Sequence, residues 1–266
     1  MTLAVLGPRG TFSCELAEKI KEADEEILLC STIHDVFVSV TEKQIRGIVP
    51  VENSEAGGVG ETLDGLMQTD CKITAEYYMP IRHFFASEYG FDEIEVVYTH
   101  PQSHEQACEF LRSLRGISII HTSSNSQSAK EAKKALNSAA VTTESAAKLY
   151  NLPLLKKDIQ NSQNNITRFL EISSGIILPD KPDKCSIVII PKENRPGLLY
   201  GILEIFAKNG INLTRIESRP SKEGIGRYVF FIDFETDRGW QDMVKNLKKI
   251  TGIKELGCYK NRSLTE

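Results

Sequence analysis

The sequence predicts two α/β units in series, a larger α/β region followed by a small ferredoxin-like domain. Three observations predict it. From Met1 to about Ser173, short β-rich runs alternate with helical stretches, the pattern of α/β folding around a mostly parallel sheet. The stretch Leu178-Pro179-Asp180-Lys181-Pro182-Asp183 then sets two prolines among charges. Proline continues neither a helix nor an internal strand, so this stretch reads as a linker. Beyond it the chain reads β-α-β-β-α-β, the ferredoxin-like order.

In the first unit, strands are expected at 3–6, 27–29, 47–51, 73–78, 95–99, 118–121, 139–141 and 167–172. Helices are expected at 13–21, 34–41, 62–68, 103–114, 126–137 and 144–150. Each helix places apolar residues three or four apart, as Ala107, Phe110, Leu111 and Leu114 do. In the second unit, 185–190 is an almost wholly apolar strand and 196–208 a helix opened by Pro-Gly. Strands at 212–218 and 227–235, a helix at 240–250 and a last strand at 253–259 complete it. Such a unit is long enough to fold as a small domain, and its sheet edges favour pairing with another copy.

Composition narrows the function. The chain has 266 residues, of which 41% are apolar and 26% charged, so neither disorder nor a fibre is indicated. Lys and Arg total 32 against 36 Asp and Glu, a net charge of −4, and a nucleic-acid partner would call for a basic excess. No apolar run reaches the ~18 residues of a membrane span. The first seven residues have no basic stretch and run into a glycine turn, so no signal peptide is expected and a cytoplasmic location is. The six cysteines form no Cys-x-x-Cys pair, which predicts reduced thiols rather than zinc or a disulfide framework.

Four stretches place polar groups at strand ends, where open α/β sheets bind ligands. Gly7-Pro8-Arg9-Gly10-Thr11-Phe12-Ser13 offers free backbone N–H groups at a helix start, although an ordinary tight turn would look the same. Val49-Pro50-Val51-Glu52-Asn53-Ser54 ends an apolar strand and leads through Gly57-Gly58-Val59-Gly60 into a helix. Thr99-His100-Pro101-Gln102-Ser103-His104-Glu105-Gln106 does likewise, and since Pro101 separates the two histidines a metal site is not expected. Asn164-Asn165-Ile166-Thr167-Arg168-Phe169 opens another strand. Alternation sends Thr167 and Phe169 to one face and Arg168 to the other, unless a bulge lets all three border one pocket. No nucleophile elbow, paired-carboxylate motif or dinucleotide fingerprint accompanies them. Hydroxyls, amides and Arg suit recognition of an anionic small molecule.

Taken together and in order, these stretches resemble prephenate dehydratase. Those of the tail, Arg195-Pro196-Gly197-Leu198-Leu199 and Glu217-Ser218-Arg219-Pro220, are similar to ACT regulatory domains. The resemblance implies a catalytic region over 1–178 of two lobes similar to type II periplasmic binding proteins. One lobe is expected at about 1–72 and 162–178 and the other at about 73–161, with crossings near 70–82 and 158–165. An ACT domain is expected over 184–262. The implied reaction is loss of carbon dioxide and water from prephenate, without a cofactor. Thr167 is expected at the leaving hydroxyl and Arg168 on a carboxylate. Asn53, Ser54, Thr99 and Gln106 would orient the substrate, with Phe169 as a wall.

For the ACT domain the resemblance implies L-phenylalanine as feedback inhibitor, held by Gly197, Leu198, Asn212, Leu213, Glu217, Ser218 and Arg219, the last three also coupling to the lobes. It implies a homodimer or homotetramer. Family members often have Ser where Thr99 stands, and Gly-Ala-Leu where this chain has Gly197-Leu198-Leu199. Bifunctional relatives carry a chorismate mutase region ahead of the first strand, and that activity is not expected here. Arogenate, the amino counterpart of prephenate, stays open as substrate. A periplasmic solute-binding protein would predict a secretory signal and no sensing tail, and a non-catalytic amino-acid sensor would only bind in the cleft.

Overall fold

The computed structural model describes residues 1–175, 179–193, 195–221, 226–236 and 239–262. Leu178, at the head of the expected linker, lies outside them. The first stretch of chain forms β1 (Thr2–Leu6), α1 (Phe12–Ile20), β2 (Glu26–Cys30), α2 (Ile33–Lys43), β3 (Arg46–Asn53), the short β4 (Gly57–Gly58), α3 (Gly60–Gln68) and β5 (Lys72–Pro80). Next come β6 (Phe84–Ser87), β7 (Val96–Thr99), α4 (Pro101–Gln106), α5 (Cys108–Ser113), β8 (Ser118–His121), α6 (Asn125–Lys134), β9 (Ser138–Thr142), α7 (Glu144–Leu149) and β10 (Leu154–Lys156). The chain returns in β11 (Ile166–Ser173). The tail is β12 (Lys184–Ile190), α8 (Leu198–Lys208), β13 (Leu213–Pro220), β14 (Tyr228–Glu235), α9 (Trp240–Ile250) and β15 (Gly252–Asn261).

Two lobes result, each around its own sheet. The first is ordered β5-β11-β3-β1-β2 and the second β10-β6-β9-β7-β8. β5 is therefore a strand of the first lobe, and the chain passes to the second after Pro80, inside the crossing expected near 70–82 but later than the lobe boundary expected at about 73. The reason is that Ile73, Ala75, Tyr77 and Met79 are buried in first-lobe packing. The two crossing segments are tied to each other. His83 donates its backbone N–H to the Gln160 side chain at 3.0 Å, its carbonyl accepts from Ile159 N at 3.0 Å, and Ile81 N donates to Asn165 O at 2.8 Å.

The helix expected at 103–114 is broken at Ala107 into α4 and α5. Asn161, from the returning crossing, inserts at the break. Its backbone N–H donates to Gln106 O at 2.7 Å, while its side chain donates to Glu105 O at 3.2 Å and accepts from Glu109 N at 3.1 Å. Side-chain insertion into the helical ladder is a recognised cause of such kinks.

The βαββαβ tail is ferredoxin-like as expected, with strand order β13-β14-β12-β15. It is not a pendant unit. β15 pairs in parallel with β5, Lys260 opposite Ala75 and Asn261 opposite Glu76, so the two sheets run on as one. One face of the tail sheet packs on α8 and α9. The other buries Val188, Val229 and Phe231 in the same core as Val49, Leu66 and Leu170 of the first lobe. One thiol expectation also fails. Cys185 and Cys258 stand opposite each other on β12 and β15 with Cα atoms 4.0 Å apart and are joined as a disulfide, a proximity that a separation of 73 residues conceals. Among the described residues no helix is long and apolar enough to cross a membrane.

Candidate active site

The site is built where β3 and β11 end beside the second lobe. Thr167 pairs with Asn53, and Arg168 with Glu52, but Phe169 faces Pro50, so Val51 is an additional residue in β3. Strict alternation would send Asn53 to the face of Val49 and Val51, away from Thr167. The bulge turns it back, as bulges beside active sites do. The Asn53 carboxamide has one possible orientation. Its Oδ1 accepts the backbone N–H groups of Glu55 and Ala56 at 3.0 and 2.9 Å. Its Nδ2 donates to Asn165 Oδ1 at 2.7 Å and to Thr167 Oγ1 at 2.9 Å. The Thr167 oxygen is thus already an acceptor, and among the described residues its own proton has no acceptor.

The second lobe supplies Gln106, at the end of α4. Its Nε2 approaches Asn53 Oδ1 at 3.5 Å and its Oε1 lies 2.8 Å from His83 Nε2. Asn53, Gln106 and Thr167 are 7%, 6% and 8% exposed, so the cluster is reachable yet almost free of water. Asn165 Nδ2 and His83 Nδ1 are buried without a hydrogen-bond partner. Sequence reasoning quoted Asn165 without assigning it and missed His83, whose only signal is a histidine on a crossing between lobes. Burial holds the His83 imidazole below its ordinary pKa, against the raising effect of Gln106.

Other expected residues sit elsewhere. Ser54 is exposed, and its hydroxyl donates to Asn164 O at 3.2 Å and accepts from Ile166 N at 3.0 Å, clamping the start of β11. Thr99, at the end of β7, is fully buried and donates to the carbonyl of His100 at 3.2 Å. Phe169 walls no pocket. It is 1% exposed in the first-lobe core with Leu3, Val5, Ile48 and Tyr77, because the bulge re-aims Asn53 and leaves Phe169 pointing inward.

Arg168 is the largest correction. It does not face the cleft but the tail domain, as alternation from Thr167 requires. Its Nε bonds Glu76 at 2.7 Å, its Nη1 bonds Asp233 of β14 at 2.6 Å, and its Nη2 donates to Tyr259 Oη of β15 at 3.0 Å. Ser186 bonds both Asp233 and Tyr259, and Lys184 bonds Glu76 at 3.0 Å. Burial alone would raise the Asp233 carboxyl, but Arg168, Ser186 and Arg215 outweigh it and hold the carboxyl below its ordinary 3.8. Burial and the Asp233 charge push the Tyr259 phenol well above its ordinary 10.0. All three guanidinium nitrogens are thus engaged, two of them by carboxylates, in a residue only 4% exposed.

The expected effector residues form three groups. Gly197 and Leu198 open α8, whereas Asn212 and Leu213 lie past its far end, about 16 Å away by helix rise, so one chain does not bring them together. Glu217 and Arg219 point at the glycine loop that follows Asn53. Glu217 packs on Gly58, and Arg219 bonds Asp64 at 3.2 Å beside Gly60. Ser218 lies between them on the exposed face.

The Gly7–Ser13 turn is an interlobe contact rather than an anion cradle. The Gly10 carbonyl accepts from Thr143 Oγ1 at 2.7 Å, and Glu15 accepts from Ser145 Oγ at 2.6 Å. His104 Nδ1 and His121 Nε2 are 3.0 Å apart, and burial together with the His121 charge lowers the His104 pKa. Among the described residues no group of three or more His, Cys, Asp or Glu is placed to hold a metal. A cavity of about 1090 Å³ lies between α1, α7 and the end of β5, and none of Asn53, Gln106 or Thr167 lines it. The chemistry of the Thr167 cluster, not cavity size, marks the site.

Known proteins align with this arrangement. The family model for prephenate dehydratase matches residues 3–176 and that for the ACT domain residues 192–252. The bifunctional chorismate mutase/prephenate dehydratase of Aquifex aeolicus is 38% identical over 99% of this chain and 75% of its own. The prephenate dehydratase of Methanocaldococcus jannaschii is 36% identical over 95% of each chain. The crystal structure of prephenate dehydratase from Arthrobacter aurescens in complex with L-Phe superposes with a TM-score of 0.89 at 29% identity, covering 98% of this chain and 90% of that one. With both units matched in order and the polar strand ends gathered between two lobes, the chain belongs to the prephenate dehydratase family and has an ACT domain after its catalytic region.

Proposed function

We propose that the Thr167 cluster converts prephenate to phenylpyruvate, water and carbon dioxide on the route to L-phenylalanine. Prephenate is a dicarboxylate with a hydroxyl on a non-aromatic ring. The bond to the ring carboxyl breaks, its electron pair becomes a ring double bond, and the hydroxyl departs from the opposite carbon. The departing oxygen takes up one proton to leave as water. Aromaticity drives the step, so the residues need only hold the dianion, assist the leaving group and keep water out. The observation that carries this reading is the Thr167 hydroxyl, whose oxygen is held by Asn53 Nδ2 at 2.9 Å while its proton remains to be donated. A threonine hydroxyl is outside the ordinary titration range, so it keeps its proton and acts as a positioned hydrogen bond to the departing oxygen, which takes the proton that completes water from solvent as the product leaves. The unpartnered Asn165 Nδ2 and the second N–H of Gln106 Nε2 supply neutral donors to the carboxylates. Arg168 has no part in this. A net charge of −4 gives no long-range attraction for a dianion, so capture rests on these local donors.

The ACT domain, in this reading, senses L-phenylalanine, the ligand in the Arthrobacter aurescens structure, and inhibits the reaction. Gly197 and Leu198 of one copy meet Asn212 and Leu213 of another, in a homodimer or homotetramer. The distance between these pairs in one chain supports that arrangement, as does β13, an edge strand with Ile216 45% exposed. The decisive experiment follows phenylpyruvate absorbance with purified protein and prephenate. Thr167→Ser should keep appreciable turnover. Thr167→Val should lower kcat by about 10²–10³ with little change in KM, the usual effect of removing one transition-state donor. Equal turnover in Thr167→Val and the parent removes Thr167 from the mechanism.

A further inference from the structure

We infer that His83 is a positioning residue for this reaction, acting through Gln106: its Nε2–H fixes which end of the Gln106 carboxamide faces the cleft. The inference rests on the reading of the Thr167 cluster given above. The argument runs outward from Asn53. Its Oδ1 is an acceptor, pinned by the N–H groups of Glu55 and Ala56. The Gln106 atom that faces Asn53 Oδ1 is therefore the amide nitrogen, which leaves Oε1 toward His83. A carbonyl oxygen accepts, so His83 Nε2 bears the proton and Nδ1 the lone pair. Of the two contacts that orient Gln106, the one to Asn53 is 3.5 Å long and the one to His83 is 2.8 Å. Hydrogen bonds weaken toward the longer distance, so His83 dominates the choice. Without it the carboxamide is free to turn its oxygen toward an anionic substrate and lose a donor there.

The placement of His83 suits the role. It is 1% exposed on the segment between Pro80 and β6, and its backbone is held on both sides by the returning crossing at Ile159 and Gln160. Its ring meets Phe12 edge-on at 5.7 Å. Nδ1 has no partner, so the bond to Gln106 is the ring's one hydrogen bond among the described residues. No step of the proposed chemistry calls on His83 itself, and its ring hydrogen bond goes to Gln106 and not to Thr167, so it does not act as a catalytic acid.

The test uses the full chain with prephenate and the variants His83→Met, His83→Gln and Gln106→Ala. Met and Gln are both unbranched and reach as far as Nε2, but only Gln offers an N–H. His83→Met should lower kcat/KM about three- to tenfold, the range for one neutral hydrogen bond, and His83→Gln should stay within about twofold of the parent. In the Gln106→Ala background His83→Met should change nothing further. His83→Met within about twofold of the parent, His83→Gln as impaired as His83→Met, or an undiminished His83→Met effect in the Gln106→Ala background would each overturn the role. Should His83→Met not fold, ¹⁵N resonances of the parent decide. An Nε2–H tautomer for His83 supports the inference and an Nδ1–H tautomer overturns it. A parent that turns over no prephenate defeats the reading of the cleft instead, a result distinct from every outcome above.

Discussion

At the scale of single residues, the site depends on the direction of one amide. Asn53 donates to Thr167, and the Thr167 proton is available for that reason alone. Asn53→Asp tests this with little change of shape. The aspartate still accepts from Glu55 and Ala56, so the turn holds, but it offers Thr167 an acceptor where there was a donor and draws the hydroxyl proton to itself. Turnover of prephenate should fall by about 10²-fold, and the unfolding temperature should fall as well because the new carboxylate is buried and faces Asn165 Oδ1; parental activity in this variant would show that the direction of the bond does not matter. Asn53, Gln106 and Thr167 were legible in the sequence because each closes or opens an element at a strand end. Arg168 was misread for a local reason, since two adjacent residues on a strand face opposite sides and the side that Arg168 faces is filled by a domain 65 residues further on. His83 had no motif around it, and only the placement of Gln106 gives it meaning.

Elements set the distance between the lobes. Periodicity found β1, β2, β3, β5, β7, β8, β9 and β11 and the helices of the first unit, with α4 and α5 read as one, but, besides the two-residue β4, β6 and β10 went unread. Their four and three residues are too few to show alternation, and β6, buried throughout, is apolar at three of its four positions. The turn after β1 reads in sequence either as an anion cradle or as an ordinary tight turn, because glycine frees backbone in both uses. In the structure Gly10 has φ of +84° and an added Cβ would lie 2.9 Å from the backbone Cα of Ala146 in α7. Gly10→Ala therefore forces either the turn or the lobe contact to give way. It should destabilise the protein by about 1–3 kcal/mol, from the left-handed backbone and the overpacking together, and lower the urea midpoint accordingly. An unchanged midpoint would mean that the lobes are not in contact at this turn in solution.

For the molecule as a whole, the question is how a domain at the far side of the sheet acts on Thr167. β11 supplies a physical link, because Thr167 faces the cleft and its neighbour Arg168 is held by Asp233 and Tyr259 of the ACT sheet. A displacement of β14 would reach the cleft through Arg168, the residue next to Thr167 on the same strand. A second contact runs from Arg219 to Asp64, beyond the loop that follows Asn53. Phenylalanine inhibits only by preferring one of two such arrangements, since equal affinity shifts nothing. The Asp233 carboxyl is held below its ordinary 3.8, so its contribution to stability is complete above that value and is lost only as pH falls through the lower, folded-state pKa. Asp233→Asn keeps the shape and removes the charge. Breaking one side of a buried pair costs about 3–5 kcal/mol, though Glu76 still holds Arg168 and places the loss toward the lower figure. Turnover without phenylalanine should stay within about threefold of the parent, because no atom of Asp233 enters the cleft. The concentration of phenylalanine needed for half-inhibition should rise at least tenfold. Spatial intermediacy alone does not establish coupling, so the same measurement on Arg219→Ala supplies the comparison. If Asp233→Asn is inhibited at the parent's concentrations while Arg219→Ala is not, the signal enters through the glycine loop rather than through the strand that bears Thr167.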